Sequence, residues 1–208
     1  MPHRIRKRQR MQFFDYSLPG WYFVTICTKN REHIFGTVEH SETIQSDLGK
    51  MADEFWLSIP VHFRKIVMDE YIIMPNHLHG IVIIKDGNCI PRVGEHYAQH
   101  LRKIESTLPE YLEEVFLWDD ENPRHKLLSR SVGNFKAALT RDSNRLEKEF
   151  CGWQRSFHDR VIRNAKELIN IRNYIRNNPK NWETDIEYLT GTTPQKKVTE
   201  AYYERIIQ

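Results

Sequence analysis

The stretch YIIMPNHLHGIVII, residues 71–84, predicts the β-hairpin around which the rest of the fold is organised. The residues from Ile66 to Ile73 and from Leu78 to Ile84 are rich in β-branched side chains, which favour strands. Pro75 has no backbone N–H to donate and Asn76 tolerates unusual turn dihedrals, so both suit a tight turn. The sequence therefore predicts two paired strands joined at Pro75 and Asn76.

Two histidines stand at the start of the second strand of this hairpin. Because side chains alternate across a strand, His77 and His79 project from the same face. Two adjacent imidazoles at the mouth of an apolar hairpin favour a metal site, since neutral imidazole is a common metal ligand. The alternative is a pair of core histidines whose polar atoms are satisfied by hydrogen bonds.

The other predicted elements flank this hairpin in a regular order. Residues Trp21 to Thr28 form a strand with apolar residues on both faces, which is typical of a central strand. Residues 34–45 suggest an edge hairpin, and Trp153 to Ile162 a last strand. Asp47 is the expected N-cap of a first helix, which should end at Pro60. Apolar residues at helical spacing predict that helix and a second one: Leu48, Met51, Phe55 and Ile59, then Val132, Phe135 and Leu139.

A third core helix closes the series. Asn164 and Glu167 form a capping-box pattern, and Pro179 should stop the helix that they open. The order strand, helix, strand, strand, helix, strand predicts an α+β fold with a ferredoxin-like split βαβ antiparallel sheet, followed by this additional C-terminal helix. Two helices should cover one face of the sheet, leaving the other face for the site and the last helix. A short helix is expected at Glu200–Ile207.

Length and composition bound the class of protein. A chain of 208 residues can bury one good core, so we expect a single domain over residues 1–208. No apolar run approaches the roughly 20 residues that span a bilayer, and the first twenty residues contain no apolar secretory core. The three cysteines are far apart in sequence, which fits a reducing cytoplasm rather than a disulfide framework.

Charge is distributed unevenly along the chain. A basic N-terminal arm covers residues 1–18, and residues 153–180 are also basic. A polar and acidic segment at residues 85–128 separates them, and we interpret it as an insertion between core elements. Basic ends around an acidic middle favour a polyanionic partner, although solvated charged faces would give the same pattern. The arm residues that could follow a phosphate backbone are Arg4, Arg6, Lys7, Arg8 and Arg10.

The C-terminal helix carries a second chemical pattern. Tyr174 and Asn178 are four residues apart, so they lie on one face of the helix. Taken alone, they could be a half-buried tyrosine and a helix-ending asparagine. Beside a metal held by His77 and His79, the phenol becomes a candidate nucleophile for a phosphate. Tyr202 and Tyr203, in contrast, lie in a tail without an evident ligand nearby.

Three separated blocks resemble the REP-associated tyrosine transposases, of the single-tyrosine HUH superfamily. These are YSLPGWYFVTICTKNREHIFG at 16–36, YIIMPNHLHGIVI at 71–83 and WQRSFHDRVIRNAKELINIRNYIRNNPKNW at 153–182. The resemblance implies a single HUH-type transposase domain that cleaves and rejoins single-stranded DNA near hairpins of repetitive extragenic palindromes through a 5′-phosphotyrosine. It implies Tyr174 as the nucleophile and His77, His79 and Asn178 as ligands of Mg²⁺ or Mn²⁺, although Zn²⁺ would also suit the imidazoles.

The remaining expectations concern supporting residues and partners. His158, Arg172 and Arg176 are expected to support the site or contact DNA. We expect a cytoplasmic monomer with DNA as its partner and no membrane association. The alternatives are a domesticated transposase that binds nucleic acid without catalysis, and a replication or mobilisation initiator nickase. The presence of His77, His79, Tyr174 and Asn178 together argues against the non-catalytic binder. The lack of a second tyrosine near Tyr174 argues against the initiator nickase.

Overall fold

The computed structural model describes residues 18–86, 127–146, 150, 152–188 and 196–207. Its centre is a four-stranded antiparallel sheet made of β1 (Gly20–Cys27), β4 (Ile66–Met74), β5 (His77–Ile84) and β6 (His158–Ile162). The strands lie in the order β4-β5-β1-β6. The central strand β5 is buried along its whole length, as expected for a strand covered on both faces.

The helices complete the split βαβ arrangement. Helix α1 (Asp47–Leu57) and the short α2 (Ile59–His62) connect β1 to β4, and α3 (Leu127–Arg145) precedes β6. Helix α4 (Ala165–Asn177) follows β6, and α5 (Lys196–Ile207) lies near the C-terminus. The strand order and the α+β class confirm the predicted ferredoxin-like plan with an additional helix.

Helices α1 and α3 cover one face of the sheet. Trp56 of α1 is fully buried and meets Phe135 of α3 edge to face, with ring centroids 5.5 Å apart. Gly80 of β5 lies directly under the Trp56 ring, because a Cβ built at this position would come 2.5 Å from Trp56 Cζ2. The missing side chain therefore allows α1 to approach the central strand closely.

The opposite face carries both histidines and is covered rather than open. Helix α4 packs along β4, and a 3-10 helix (Pro179–Thr184) follows it directly. Helix α5 adds Tyr203, which is 1% exposed and packs edge to face on Phe23 of β1. The structure therefore places the predicted site inside a layer formed by the C-terminal part of the chain.

Several element boundaries differ from those expected. Ser46 rather than Asp47 caps α1, because its Oγ accepts a hydrogen bond from the Gly49 N–H at 3.1 Å. Pro60 does not simply end a helix, since it stands in the first turn of α2, where its missing N–H costs nothing. Trp153 makes only an isolated bridge to Thr28, and the last strand begins at His158.

The expected edge hairpin exists as a separate two-stranded sheet. Strand β2 (Gly36–Glu39) pairs with β3 (Glu42–Gln45), and neither strand joins the main sheet. A 3-10 helix (Lys29–Arg31) leads from β1 towards it. The capping pattern is confirmed at α4, where Asn164 Oδ1 accepts from the Glu167 N–H at 2.9 Å.

Two predicted segments lie outside the described residues. These are nearly all of the basic arm at 1–18 and of the insertion at 85–128, so the roles expected of both segments stay predictions. Within the described ranges, no helix combines the length and apolar character required to cross a bilayer.

Candidate active site

The two histidines of β5 form the centre of the candidate site. The strand register pairs His77 with Cys27 and His79 with Thr25, so both imidazoles project from the same face, as predicted. Their ring centroids are 4.3 Å apart, and both side chains are fully buried. Burial costs a charged imidazole its hydration and lowers both pKa values well below the usual range; the Arg31 charge lowers them further. Both rings are therefore neutral and can offer a nitrogen lone pair.

Asn76 determines which nitrogen of His77 carries the proton. The Asn76 Nδ2 donates to the carbonyl oxygens of Glu187 at 2.7 Å and Arg31 at 3.3 Å. Its Oδ1 is therefore left to accept from His77 Nδ1 at 2.8 Å. The proton of the neutral ring then lies on Nδ1, and His77 Nε2 presents its lone pair to the site.

Tyr174 projects from α4 towards the second histidine. Its hydroxyl lies 3.0 Å from His79 Nε2 and donates to Asp185 Oδ2 at 2.7 Å. Burial raises the pKa of this phenol well above its ordinary value, and the neighbouring Tyr203 and Asp185 add to that increase. A phenol in this environment keeps its proton unless a base removes it.

Asn178 and Asp185 complete the cluster. Asn178 is the C-cap of α4, is fully buried, and donates from Nδ2 to the same Asp185 oxygen at 2.7 Å. The other Asp185 oxygen accepts from the Glu187 N–H at 2.7 Å. The spacing of Tyr174 and Asn178 therefore brings both side chains to one carboxylate.

The arrangement fits a divalent metal ion. One ligand atom each from His77, His79 and Asp185 lies within 4.8 Å of the others. The buried polar atoms without a hydrogen-bond partner in the described part of the chain include His77 Nε2 and Asn178 Oδ1. Such atoms are costly unless something satisfies them, and a cation would bind both. The donor set of imidazole nitrogens and amide or carboxylate oxygens suits Mn²⁺ and is compatible with Mg²⁺.

The supporting residues predicted from sequence occupy different places. His158 lies on the site face, stacked on Tyr203 with ring centroids 4.8 Å apart. Arg172 and Arg176 instead form ion pairs with β4, to Asp69 at 2.8 Å and Glu70 at 2.6 Å. The site therefore includes His158, whereas both arginines tie α4 to the sheet. The five predicted arm residues lie outside the described ranges.

Sequence reasoning missed four contributors to this site, which are Asp185, Glu187, Tyr202 and Tyr203. The expectation that no ligand lies near Tyr202 and Tyr203 is wrong, because their hydroxyls reach Asp185 Oδ2 at 3.5 Å and Glu187 Oε1 at 3.2 Å, respectively. The only signal for Asp185 was a carboxylate just beyond the 3-10 helix that begins at Pro179. Nothing in the local pattern connects α5 to strand β1, so the tyrosines could not be placed.

The fold and the site together define an α+β protein with a ferredoxin-like sheet and a buried His-x-His, tyrosine and carboxylate cluster. No family model matches the chain. A protein of Haemophilus influenzae (strain ATCC 51907 / DSM 11121 / KW20 / Rd), described as an uncharacterized protein, is 34% identical over 187 residues, which span 88% of this chain and 93% of that protein. The chain belongs to the same family as this Haemophilus protein.

A solved structure also resembles the chain. It is a REP-associated tyrosine transposase bound to a REP hairpin, at 16% identity and a TM-score of 0.48. The similarity covers 82% of this chain and 73% of that one.

Proposed function

We propose that the protein is a metal-dependent endonuclease and strand transferase that acts on single-stranded DNA through Tyr174. The observation that carries this proposal is the position of the Tyr174 hydroxyl, 3.0 Å from His79 Nε2 and within a buried cluster of ligand atoms. A half-buried tyrosine that served only packing would not need the unsatisfied polar atoms of His77 and Asn178 in the same cluster.

The ligands we assign are His77 Nε2, His79 Nε2 and Asn178 Oδ1, with Mg²⁺ or Mn²⁺ as the metal. When bound, the metal supplies a Lewis acid that polarises a phosphate oxygen of the substrate. Both imidazoles are neutral and the amide is uncharged, so these ligands leave the full charge of the cation available to the phosphate. The Asp185 carboxylate is the other candidate oxygen ligand.

We assign Asp185 as the base that accepts the proton of the Tyr174 hydroxyl. The Tyr174 oxygen attacks the phosphorus, the P–O3′ bond breaks, and a 5′-phosphotyrosine and a 3′-hydroxyl result. The phenol proton moves to Asp185 Oδ2, which already accepts that hydrogen bond at 2.7 Å, and returns to the leaving O3′. The reaction conserves the energy of the phosphodiester, so the 3′-hydroxyl of another strand can reverse it and join DNA.

The substrate class rests on the sequence resemblance and on charge. The three blocks that resemble REP-associated tyrosine transposases support DNA beside a hairpin of a repetitive extragenic palindrome. The three blocks supply β1, the β4–β5 hairpin and the β6–α4 segment, of which the hairpin carries His77 and His79 and α4 carries Tyr174. Residues 1–10 of the basic arm would supply phosphate contacts. An unpaired strand beside the hairpin can place its phosphate in line with the phenol more readily than a stiff duplex.

A second candidate function is an initiator nickase that uses two tyrosines. No second tyrosine lies near Tyr174 in sequence, yet the Tyr202 hydroxyl lies 3.5 Å from the same Asp185 oxygen. The two rings meet edge to face, with centroids 6.4 Å apart. Mass spectrometry of the protein–DNA adduct separates the two functions, since the nickase requires adducts on both tyrosines.

The direct test uses labelled hairpin DNA with single-stranded flanks, incubated with Mg²⁺ or Mn²⁺. We expect a covalent adduct that survives denaturing electrophoresis and that disappears in chelator. Tight binding of the hairpin without any adduct, in either metal, would instead support the non-catalytic alternative.

A further inference from the structure

We propose that Tyr203 of α5 is a positioning residue for the metal site: with Thr25 and Glu187 it holds the His79 proton on Nδ1 and leaves Nε2 free for the metal. The inference rests on the metal site of the proposed function. It assigns a role to a C-terminal residue that is far from His79 in sequence.

Glu187 anchors the chain of hydrogen bonds. It is 2% exposed and forms a buried ion pair with Arg31, so it is held as a carboxylate. Its Oε2 also accepts from Cys27 Sγ at 3.4 Å, and its Oε1 accepts from the Tyr203 hydroxyl at 3.2 Å. A carboxylate only accepts, so the proton of the Tyr203 hydroxyl points to Glu187.

The direction of the remaining bonds follows from that anchor. With its single proton committed, the Tyr203 oxygen can only accept, and it lies 3.3 Å from Thr25 Oγ1, which donates to it. The Thr25 hydroxyl has then used its own proton, so it accepts from His79 Nδ1 at 2.9 Å. The chain of hydrogen bonds therefore favours the tautomer with a proton on Nδ1 and a lone pair on Nε2.

A second chain of hydrogen bonds competes for the same ring. Asp185 accepts from the Tyr174 hydroxyl, whose oxygen could in turn accept from a protonated His79 Nε2. A neutral imidazole carries one N–H, so the two chains cannot both be satisfied. The apparent dissociation constant of the metal equals the intrinsic constant divided by the fraction of the competent tautomer, so Tyr203 should tune metal affinity.

The hydroxyl of Tyr203 can be removed with little change in packing. Its ring stacks on His158 at 4.8 Å and meets Phe23 at 5.5 Å, and phenylalanine keeps both contacts. A matched control exists on the other face of the sheet, where the Tyr71 hydroxyl donates to the Asp53 carboxylate at 2.9 Å. Tyr71→Phe therefore removes the same group from a similar partner, away from the histidines.

The experiment measures tautomer and metal affinity separately on the full-length protein. Nitrogen-15 NMR of the metal-free protein gives the fraction of His79 protonated on Nδ1, and calorimetry with Mn²⁺ gives the dissociation constant. In Tyr203→Phe we expect that fraction to fall and the constant to rise by about 10- to 100-fold, the usual range when a metal-ligating residue is deprived of its hydrogen-bond partner. The tautomer fraction should fall by the same factor as the dissociation constant rises, and neither should change in Tyr71→Phe.

A second pair of variants tests the middle of the chain of hydrogen bonds. Thr25→Ser keeps the hydroxyl and should keep both the tautomer and the metal affinity, whereas Thr25→Val should resemble Tyr203→Phe. An unchanged tautomer fraction and unchanged Mn²⁺ affinity in Tyr203→Phe, with wild-type protein that binds Mn²⁺, would overturn the inference alone. If the variants change Mn²⁺ affinity as predicted but the wild-type protein does not cleave DNA, the proposed function alone is overturned. A wild-type protein that binds no metal would overturn both.

Discussion

Replacing Asp185 by asparagine removes the carboxylate that we assign as the acceptor of the Tyr174 proton, while side-chain size is preserved. One Asp185 oxygen accepts from the Tyr174 hydroxyl and the Asn178 amide, each at 2.7 Å, and the other accepts from the Glu187 N–H at 2.7 Å. The amide of asparagine can still accept from Glu187. The amide nitrogen then faces Asn178 as a donor where the carboxylate oxygen was an acceptor. An amide also cannot take a proton from the phenol.

The expected size of each effect follows from these bonds. General-base catalysis typically contributes about 10²- to 10⁴-fold in rate, so formation of the covalent DNA adduct should slow by that factor. Hydrogen bonds to a charged group contribute about 1.5–3 kcal/mol each, and the variant loses at least one of them, so the free energy of unfolding should fall by a similar amount. Metal affinity should change less than about threefold if Asp185 acts on the proton rather than as a ligand, a change below about 0.7 kcal/mol.

Single-turnover measurement of adduct formation at saturating Mn²⁺ checks the rate, and calorimetry checks the metal. Asp53→Asn is the matched control, because Asp53 accepts from Tyr71 in an equivalent pair on the other face of the sheet. Adduct formation by Asp185→Asn within threefold of the parent rate would refute the assignment of the base. A large drop in Mn²⁺ affinity would instead make Asp185 a ligand.

Three further predictions probe the fold, the metal and the DNA contacts. Gly80→Ala should destabilise the protein by about 1–3 kcal/mol in chemical denaturation, because its methyl group would overlap the Trp56 ring, whereas Gly133→Ala in open space on α3 should not destabilise it. His77→Ala should abolish Mn²⁺ binding and cleavage but leave hairpin binding largely intact by gel shift; equal cleavage would exclude the metal role. Deleting residues 1–10 should weaken DNA binding and flatten the slope of log affinity against log salt by about 0.7 for each phosphate that the arm neutralises on a single strand, and an unchanged slope would contradict the role of the arm.

Local periodicity predicted the parts of the site that lie within single elements. The two-residue period of a strand placed His77 and His79 on one face, and the helical period aligned Tyr174 with Asn178. The alternation of strands and amphipathic helices was sufficient to predict the ferredoxin-like plan of the sheet. These patterns succeed because each depends only on neighbours in sequence and on which face is buried.

The missed parts depend on contacts between distant segments. Asp185 reaches the site because the 3-10 helix at Pro179–Thr184 brings the chain to His77, whose ring centroid lies 5.8 Å from that of Trp182, and no residue pattern specifies that path. Tyr203 is buried against β1, a strand that lies far from it in sequence. The last core helix, α4, was expected on the site face, whereas the further cover that α5 adds there was not predicted. Ser46 was passed over as a cap because Asp47 has similar capping chemistry, and only the hydrogen bond to Gly49 distinguishes them.

The nucleophile itself provides the most direct test of the account. Tyr174→Phe removes one oxygen and keeps the ring that packs against Phe23, so the variant should fold and bind hairpin DNA as the parent does. Peptide mapping of the wild-type adduct, formed with Mn²⁺ on hairpin DNA with single-stranded flanks, should place the DNA on Tyr174. The variant should form no adduct and no joined product, with Tyr71→Phe as a fully active control. Cleavage by Tyr174→Phe at the parent rate would contradict the tyrosine mechanism.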